Sequence, residues 1–212
     1  MVDQKKGCKM PCEGCEFNDA CDLKSKNLCS EYKAWVKQVI KGKQILDACC
    51  GSRMFWFDTN NPATVFVDIR ELQNEAIWKS GNGKSVRYCT VKPDILADFT
   101  ALPFEDDTFY HVIFDPPHLR KIGDSSWMVK KYGKLPEDWK QLLHDGFYEC
   151  LRVLKPNGTL IFKWNEFDFP VKEIIKAIGV NPLYGHKSGK QSKTHWLAFM
   201  KDVCYGRSKE RI

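Results

Sequence analysis

Three short apolar segments of this chain each end in an aspartate. They are Ile45-Leu46-Asp47, Val65-Phe66-Val67-Asp68 and Val112-Ile113-Phe114-Asp115. Short runs that are apolar throughout are typical of strands covered on both faces, as in a parallel sheet. The carboxyl ends of parallel strands share one edge, and ligands bind at that edge in open α/β folds. The sequence therefore predicts an open α/β sheet with three acids at one edge, where a nucleoside can be held.

The rest of the pattern surrounds these segments with further elements. We expect strands over residues 44–48, 64–68, 110–115 and 159–164, a strand or the approach to one over residues 94–98, and helices over residues 30–41, 137–154 and 171–178. Residues 51–58 predict a turn that opens another helix, residues 86–90 an extra strand or extended loop, and residues 119–136 a long loop. Residues 183–185 and 196–200 predict a terminal hairpin. The predicted fold class is α/β, a doubly wound and mostly parallel sheet with an antiparallel edge hairpin.

A cysteine-rich segment precedes this domain. Five of the ten cysteines lie between Cys8 and Cys29, separated by short polar spacers. Such a segment cannot form a core of its own and needs a covalent or metal cross-link. We divide the chain into a metal-binding segment, residues 1–30, and a main domain, residues 31–212. No apolar run is long enough to span a bilayer and residues 1–9 do not resemble a secretory signal, so we expect a cytoplasmic protein with no membrane partner.

Clustered cysteines in a reducing compartment indicate metal ligands. Four thiolates suit a tetrahedral structural zinc. The expected ligands are Cys12, Cys15, Cys21 and Cys29, with Cys8 as the alternative. An iron–sulfur cluster is a second interpretation, because Cys8-x3-Cys12-x2-Cys15 also resembles the triad of radical S-adenosylmethionine enzymes, although the barrel of that family does not fit the strands that follow. Free thiols or disulfides are the third.

Positive charge is concentrated in two stretches of the chain. The net charge is +6, yet residues 119–135 carry five basic residues against one acid, and residues 185–201 carry four lysines and no acid. Concentrated positive charge with nearby aromatic rings indicates a polyanion such as DNA or RNA, although a solvated lysine-rich surface has the same composition. The candidate nucleic-acid-binding residues are Arg120, Lys121, Trp127, Lys130, Lys131, Tyr132, Lys187, Lys190 and Lys193.

From about residue 44 to residue 200 the chain resembles the Rossmann-like S-adenosylmethionine-dependent methyltransferases. Asp47-Ala48-Cys49-Cys50-Gly51 resembles their first motif, Asp68 their ribose-binding acid, and Asp98-Phe99 their adenine-binding position. The resemblance implies S-adenosylmethionine as cofactor, held by Asp47, Ala48, Cys49, Gly51, Asp68, Ile69, Asp98, Phe99 and Asp115. Cys49 stands where the family usually has glycine, and Arg53 and Met54 stand where it has small residues, so Arg53 is expected to crowd the cofactor or reach the substrate.

The string Asp115-Pro116-Pro117-His118 resembles the Asp-Pro-Pro-aromatic motif of methyltransferases that act on exocyclic amino groups of bases. The resemblance implies that Asp115 and the Pro116 carbonyl accept hydrogen bonds from the amine, that Pro117 stiffens the turn, and that His118 stacks on the base. Histidine is a departure from the usual aromatic residue. The nearby Phe55, Trp56 and Phe57 are expected to pack in the core, and the alternative is that they line the cofactor or substrate pocket.

The expected function is methyl transfer from S-adenosylmethionine to an exocyclic amino nitrogen of a nucleic-acid base, with adenine N6 in DNA or RNA as the target. No large target-recognition domain is visible in the sequence, so a protein partner could supply specificity. Two alternatives remain open. One is a methyltransferase of a protein side chain or a small molecule, and the other is a nucleic-acid-binding module without catalysis.

Overall fold

The computed structural model describes residues 30–187 and 192–203. The helices are α1 (Ser30–Val39), α2 (Trp127–Tyr132), α3 (Trp139–Val153) and α4 (Val171–Ile178). The strands are β1 (Ile45–Asp47), β2 (Thr64–Asp68), β3 (Leu72–Lys79), β4 (Val86–Val91), β5 (Ile95–Leu96), β6 (Phe109–Phe114), β7 (Leu154–Asn165), β8 (Tyr184–Lys187) and β9 (Thr194–Met200). In this part of the chain no helix is long and apolar enough to cross a membrane. The proposed domain boundary at residue 30 depends on residues 1–29, which lie outside the described part of the chain.

Seven strands form one mixed sheet in the order β5-β2-β1-β6-β7-β9-β8. The first five run parallel, and β9 pairs antiparallel with both β7 and β8. The mostly parallel sheet and its antiparallel terminal hairpin are therefore confirmed. Because β1 lies between β2 and β6, the acids that follow these three strands meet at one edge of the sheet.

The main core lies against one face of this sheet. Leu46 pairs in register with Val65 and with Val112, and Val112 pairs with Leu160, so these side chains form one apolar row. All four are fully buried, and residues of α1, α3 and α4 belong to the same hydrophobic cluster. Within residues 30–187 and 192–203 the helices α1, α3 and α4 thus pack on a single face of the sheet. The doubly wound prediction, which puts helices on both faces, is wrong in this respect.

The connection between β1 and β2 covers part of the other face without a helix. Residues 51–58 form turns, so the predicted helix is absent. Gly51 and Arg53 have φ values of 48° and 54°, and two left-handed residues so close together prevent a right-handed helix from starting there. Instead, Trp56 packs edge-on against Phe66 of β2, with ring centroids 5.2 Å apart, and Phe55 packs edge-on against Trp196 of β9 at 5.7 Å.

Between β2 and β5 the chain forms a separate two-stranded antiparallel sheet, β3–β4. The sequence indicated β4 as an option but gave no sign of β3, because residues 72–79 lack a clear alternation of apolar and polar side chains. The stretch predicted as a long loop contains α2, which begins after the N-cap Ser126. The hydroxyl of Ser126 accepts a hydrogen bond from the backbone N–H of Met128. Trp127 of α2 packs on the small core of β3–β4.

Candidate active site

A cavity of about 320 Å³ opens at the carboxyl edge of the sheet, within the size range of small-molecule sites. Ten of the residues predicted to bind cofactor or substrate border it: Ala48, Cys49, Gly51, Asp68, Ile69, Phe99, Asp115, Pro117, Lys131 and Tyr132. Six further residues border it: Cys50, Ser52, Met54, Phe55, Arg70 and Lys163. Phe55 thus takes the pocket-lining position that was the alternative to core packing. The structure therefore brings together eight of the twelve predicted cofactor-binding and catalytic residues, and two of the nine predicted nucleic-acid-binding residues.

Asp68 holds the turn after β1 against the end of β2. Its Oδ2 accepts a hydrogen bond from the backbone N–H of Gly51 at 2.9 Å, and its Oδ1 accepts one from the N–H of Arg70 at 2.9 Å. The Arg70 guanidinium also contacts both carboxylate oxygens, at 3.2 and 3.4 Å. A Cβ added at Gly51 would meet no atom within 4 Å, so this peptide borders open space.

Asp115 forms an ion pair inside the cavity with Lys163, a β7 residue. Lys163 Nζ donates to Asp115 Oδ2 at 2.5 Å, and the two side chains are 25% and 21% exposed. Burial raises the pKa of Asp115 above its ordinary value, while the charge and hydrogen bond of Lys163 oppose that rise. No hydrogen bond to Oδ1 occurs among the described residues, so this oxygen is free to accept one from a substrate.

His118 lies beside the cavity rather than in its wall. Its ring is 6.0 Å from the Tyr132 ring and 6.3 Å from the Trp164 ring, measured between centroids. Burial, helped by the charge of Lys163, lowers the pKa of His118 to about 4, so the ring is neutral at physiological pH. The ring that borders the cavity next to Pro117 belongs to Tyr132. Tyr132 is therefore better placed than His118 to contact a ligand in the cavity.

The chain at the end of α2 packs closely against the segment that contains the two prolines. Gly133, which ends α2, has φ 80° and ψ 179°, a conformation that is essentially limited to glycine. A Cβ there would also approach Pro117 Cγ to 3.0 Å. The N–H of Leu135 donates to the Leu119 carbonyl at 2.7 Å. These contacts hold Tyr132 over the end of β6.

Asp47 lies beneath the cavity and does not border it. It is fully buried, its Oδ2 accepts from Trp56 Nε1 at 2.7 Å, and its Oδ1 accepts from the Cys49 N–H at 3.3 Å. Burial raises the pKa of Asp47 to about 7, against the lowering effect of the Trp56 hydrogen bond. The structure thus gives Asp47 a role in shaping the turn after β1. Burial also raises the pKa of the Cys49 thiol, which stays uncharged.

Asp98 likewise shapes a turn. Its Oδ1 accepts hydrogen bonds from the N–H and the hydroxyl of Thr100, at 2.8 and 2.7 Å, and it does not border the cavity. The neighbouring Phe99 does, and its ring packs edge-on against Phe114 with centroids 5.2 Å apart. Of this pair, the aromatic residue is the one that can contact a bound purine. Pro116 is buried and is absent from the cavity wall.

Arg53 points away from the cavity, contrary to the prediction that it crowds the cofactor. Its guanidinium donates to the carbonyls of Thr59 and Lys92, both at 2.6 Å, and lies 3.7 Å from the centre of the Phe66 ring. Arg53 therefore ties the β1–β2 connection to the chain before β5. Of the three aromatic residues that follow, Phe55 borders the cavity, Trp56 packs in the core and Phe57 is fully exposed.

Many of the predicted nucleic-acid-binding residues have partners within the protein. Arg120 pairs with Glu137 at 3.7 Å, and Lys187 pairs with Glu166 at 3.2 Å. Trp127 is part of the β3–β4 core. Lys131 is the basic residue of this set that borders the cavity. Lys121 and Lys193 lie near aromatic rings: their Nζ atoms are 5.5 Å from the Phe169 ring centroid and 6.0 Å from the Phe167 ring centroid. Lys130 belongs to α2, and Lys190 lies outside the described residues.

The predicted metal ligands Cys12, Cys15, Cys21 and Cys29, and the alternative Cys8, also lie outside the described residues. Within residues 30–187 and 192–203 no three His, Cys, Asp or Glu side chains are grouped so that they could hold a metal ion. The zinc and iron–sulfur interpretations therefore stay predictions.

Three residues of the cavity wall fit the groups of a nucleoside such as that of S-adenosylmethionine. Asp68 has a carboxylate that can pair with two hydroxyls once its bonds to the Arg70 guanidinium are given up, Gly51 provides a wall without a side chain, and Phe99 offers an aromatic edge. The most informative residue that sequence reasoning missed is Lys163, and a signal for it existed. A lysine within the apolar run Leu160-Ile161-Phe162-Lys163-Trp164 is a buried polar residue in need of a partner.

Comparison with other proteins gives structural similarity only. No protein-family model and no curated protein matches the chain. A protein of Pyrococcus horikoshii OT3 is similar at 17% identity over 85% of this chain and 93% of that chain, with a TM-score of 0.46. A structure described as a SAM-dependent methyltransferase of Methanosarcina mazei has 13% identity, coverages of 79% and 96%, and a TM-score of 0.43. The 16S rRNA methyltransferase KamB has 9% identity, coverages of 79% and 93%, and a TM-score of 0.44. Similarity this low assigns no function, which must come from the residues of the site.

Proposed function

We propose that this protein is an S-adenosylmethionine-dependent methyltransferase that acts on an exocyclic amino nitrogen of a nucleic-acid base, with adenine N6 in DNA or RNA as the expected target. The observation that carries the proposal is the position of two acids, Asp68 and Asp115, on the wall of one cavity at the carboxyl edge of the sheet. Asp68 is suited to bind a ribose, and Asp115 follows β6 at the start of the Asp-Pro-Pro string.

The cofactor supplies an electrophilic methyl group when it is bound. The chain's own groups would position it: Asp68 by accepting hydrogen bonds from the ribose hydroxyls, the bare backbone of Gly51 by allowing close approach, and Phe99 by packing against the adenine. Cys49 fits the same wall as a small uncharged group, because burial keeps its thiol protonated.

Asp115 would orient the substrate amine. The lone pair of an exocyclic amine is delocalised into the base, which makes the amine a poor nucleophile. A hydrogen bond from the amine to Asp115 Oδ1 favours a pyramidal nitrogen whose lone pair points at the methyl group, and orientation of this kind supplies much of the rate. Lys163 holds Oδ2 and so fixes the direction in which Oδ1 faces. The same Oδ1 can accept the proton that the nitrogen loses. The Pro116 carbonyl, the second acceptor that the motif implies, does not border the cavity in this structure.

Tyr132 would stack on the target base, with the neutral His118 ring behind it. Aromatic stacking is the usual way to hold a base that has left its helix or is already unpaired. The contacts of Gly133 and Pro117 keep Tyr132 in position next to Asp115.

The test is transfer of radiolabelled methyl from S-adenosylmethionine to total RNA, DNA and a protein extract in parallel, followed by analysis of the labelled nucleosides. We expect label in nucleic acid, as N6-methyladenine. The test variant is Asp115→Ala, which removes both acceptor oxygens. It should abolish transfer while leaving the dissociation constant for the cofactor nearly unchanged. Label in protein alone, or retained transfer by Asp115→Ala, would overturn the proposal.

A further inference from the structure

The β3–β4 hairpin lies between β2 and β5 in the chain and starts at the cavity. Arg70, two residues before β3, borders the cavity, and Cys89 of β4 contacts the cavity residue Ser52 through Sγ and Oγ at 3.3 Å. Eight strand residues at about 3.3 Å each give β3 a length of roughly 25 Å. The hairpin, called the arm below, thus has one end at the candidate active site.

The exposed surface of this arm is basic. Residues 72–92 contain four basic residues, Lys79, Lys84, Arg87 and Lys92, against the single acid Glu75. Lys79, Lys84 and Arg87 are exposed, and none of them has a salt bridge to another described residue. This distinguishes them from Lys163, whose charge is offset by Asp115. Their positive charge is therefore available to an anionic partner.

Aromatic rings are interleaved with these charges. Tyr88 is 57% exposed and Trp78 is 36% exposed. The guanidinium carbon of Arg87 lies 5.3 Å from the ring centroids of both Trp78 and Trp127, which joins the arm to α2. Cationic groups that contact phosphates, together with rings on which bases stack, are what proteins use to hold a single nucleic-acid strand.

We propose that the β3–β4 hairpin binds the nucleic-acid strand that flanks the methylated base, with Lys79 and Lys84 contacting phosphates and Tyr88 stacking on a neighbouring base. This inference rests on the proposed function for the identity of the substrate. It adds a recognition element that the two basic stretches of the sequence did not indicate. A strand that extends from the cavity along the arm passes α2, whose Lys130 and Lys131 carry charge of the same sign.

The experiment measures binding separately from methyl transfer. Fluorescence anisotropy gives the dissociation constant of the full-length protein for a labelled single-stranded oligonucleotide, as RNA and as DNA, over a series of salt concentrations without cofactor. Lys79→Gln/Lys84→Gln is compared with Lys172→Gln/Lys176→Gln, two exposed lysines of α4 without salt bridges in the described structure. Tyr88→Ala is compared with Tyr110→Ala, since the two tyrosines are 57% and 56% exposed.

Two lost phosphate contacts should reduce the slope of log affinity against log salt by about 1.4 in the hairpin variant. Loss of one stacked base should weaken binding about fivefold or more in Tyr88→Ala. The control variants should match the wild type. Hairpin variants that behave like their controls, or a wild type that binds neither oligonucleotide, would overturn the inference. A wild type that binds through the hairpin but transfers no methyl would support the inference and overturn the proposed function, so the two failures are distinguishable.

Discussion

Replacing Lys163 by methionine tests whether its ammonium group keeps Asp115 ionised. Methionine preserves most of the length and volume of the lysine stem but removes the 2.5 Å hydrogen bond to Asp115 Oδ2. Burial would then raise the pKa of Asp115 without the opposing charge that now limits the rise. A smaller fraction of Asp115 would be ionised at neutral pH, and a protonated carboxyl is a weaker acceptor for the amine.

The size of the effect follows from the exposure of the pair. Side chains that are 25% and 21% exposed are partly screened by solvent, so the energy of a fully buried ion pair does not apply. A hydrogen bond to a charged group contributes about 1.5–3 kcal/mol. Since about 1.4 kcal/mol corresponds to a factor of ten in rate, kcat should fall roughly ten- to hundredfold at neutral pH.

The assay is the pH dependence of kcat for wild type, Lys163→Met and Lys155→Met. Lys155 is the control because it belongs to the same strand but lies 3.9 Å from the Tyr110 ring centroid, with no salt bridge in the described residues. The proposed mechanism requires ionised Asp115, so Lys163→Met should regain activity as the pH rises, and its acidic limb should lie at higher pH than that of the other two proteins. An acidic limb at the wild-type position, or a kcat within twofold of wild type, would refute the reasoning.

Three further predictions concern packing, pH and metal. Gly146→Ala puts a Cβ 2.4 Å from a ring carbon of Phe99, so Phe99 must move toward the cavity. We expect the free energy of unfolding in urea to fall by about 1–3 kcal/mol and the cofactor to bind more weakly by calorimetry. In the control Gly123→Ala the added Cβ meets no atom within 4 Å, so stability and cofactor binding should both stay unchanged. The folded-state pKa of Asp47, about 7, lies above the ordinary value of 3.8, so this group makes stability fall as pH rises from about 4 to 7; Asp47→Asn should flatten that part of the stability–pH curve measured by urea unfolding, and an unchanged curve would contradict it. The purified protein should contain zinc by elemental analysis, and a strong chelator should remove it and change the circular dichroism spectrum; metal-free protein with the same spectrum would exclude a structural zinc.

The acids at the strand ends were predictable because one local pattern determined them. An apolar run that ends in aspartate indicates a buried strand and the edge where it stops, and Asp68 and Asp115 both lie at the cavity as a result. The same pattern does not indicate in which direction the side chain of the aspartate points. Asp47 and Asp98 follow the rule in sequence, yet they bond to Trp56 and Thr100 instead of facing the cavity.

The elements that sequence reasoning missed depend on contacts distant in the chain. The Arg53 side chain points away from the cavity because its guanidinium donates to the carbonyl of Lys92 and packs on the ring of Phe66. The β3 strand forms because β4 pairs with it and because Trp127, far along the chain, covers the small core that the two strands share. Neither partner could be read from the local sequence. Lys163 was within reach of sequence reasoning, since a charged residue in an apolar strand requires a partner.

Because Arg70 already bonds Asp68, a ligand that binds this carboxylate must exchange its own hydrogen bonds for those of Arg70. Arg70 bonds both oxygens of this carboxylate, and its Nη1 donates to the carbonyls of Lys130 and Lys131, each at 3.3 Å. A ribose that takes both oxygens must displace the guanidinium, so the measured affinity is the difference between bonds made and bonds lost. Removing Arg70 can therefore tighten binding even though it deletes a residue of the site. The displaced side chain would also give up its hydrogen bonds to the carbonyls of Lys130 and Lys131 in α2, the helix that carries Tyr132.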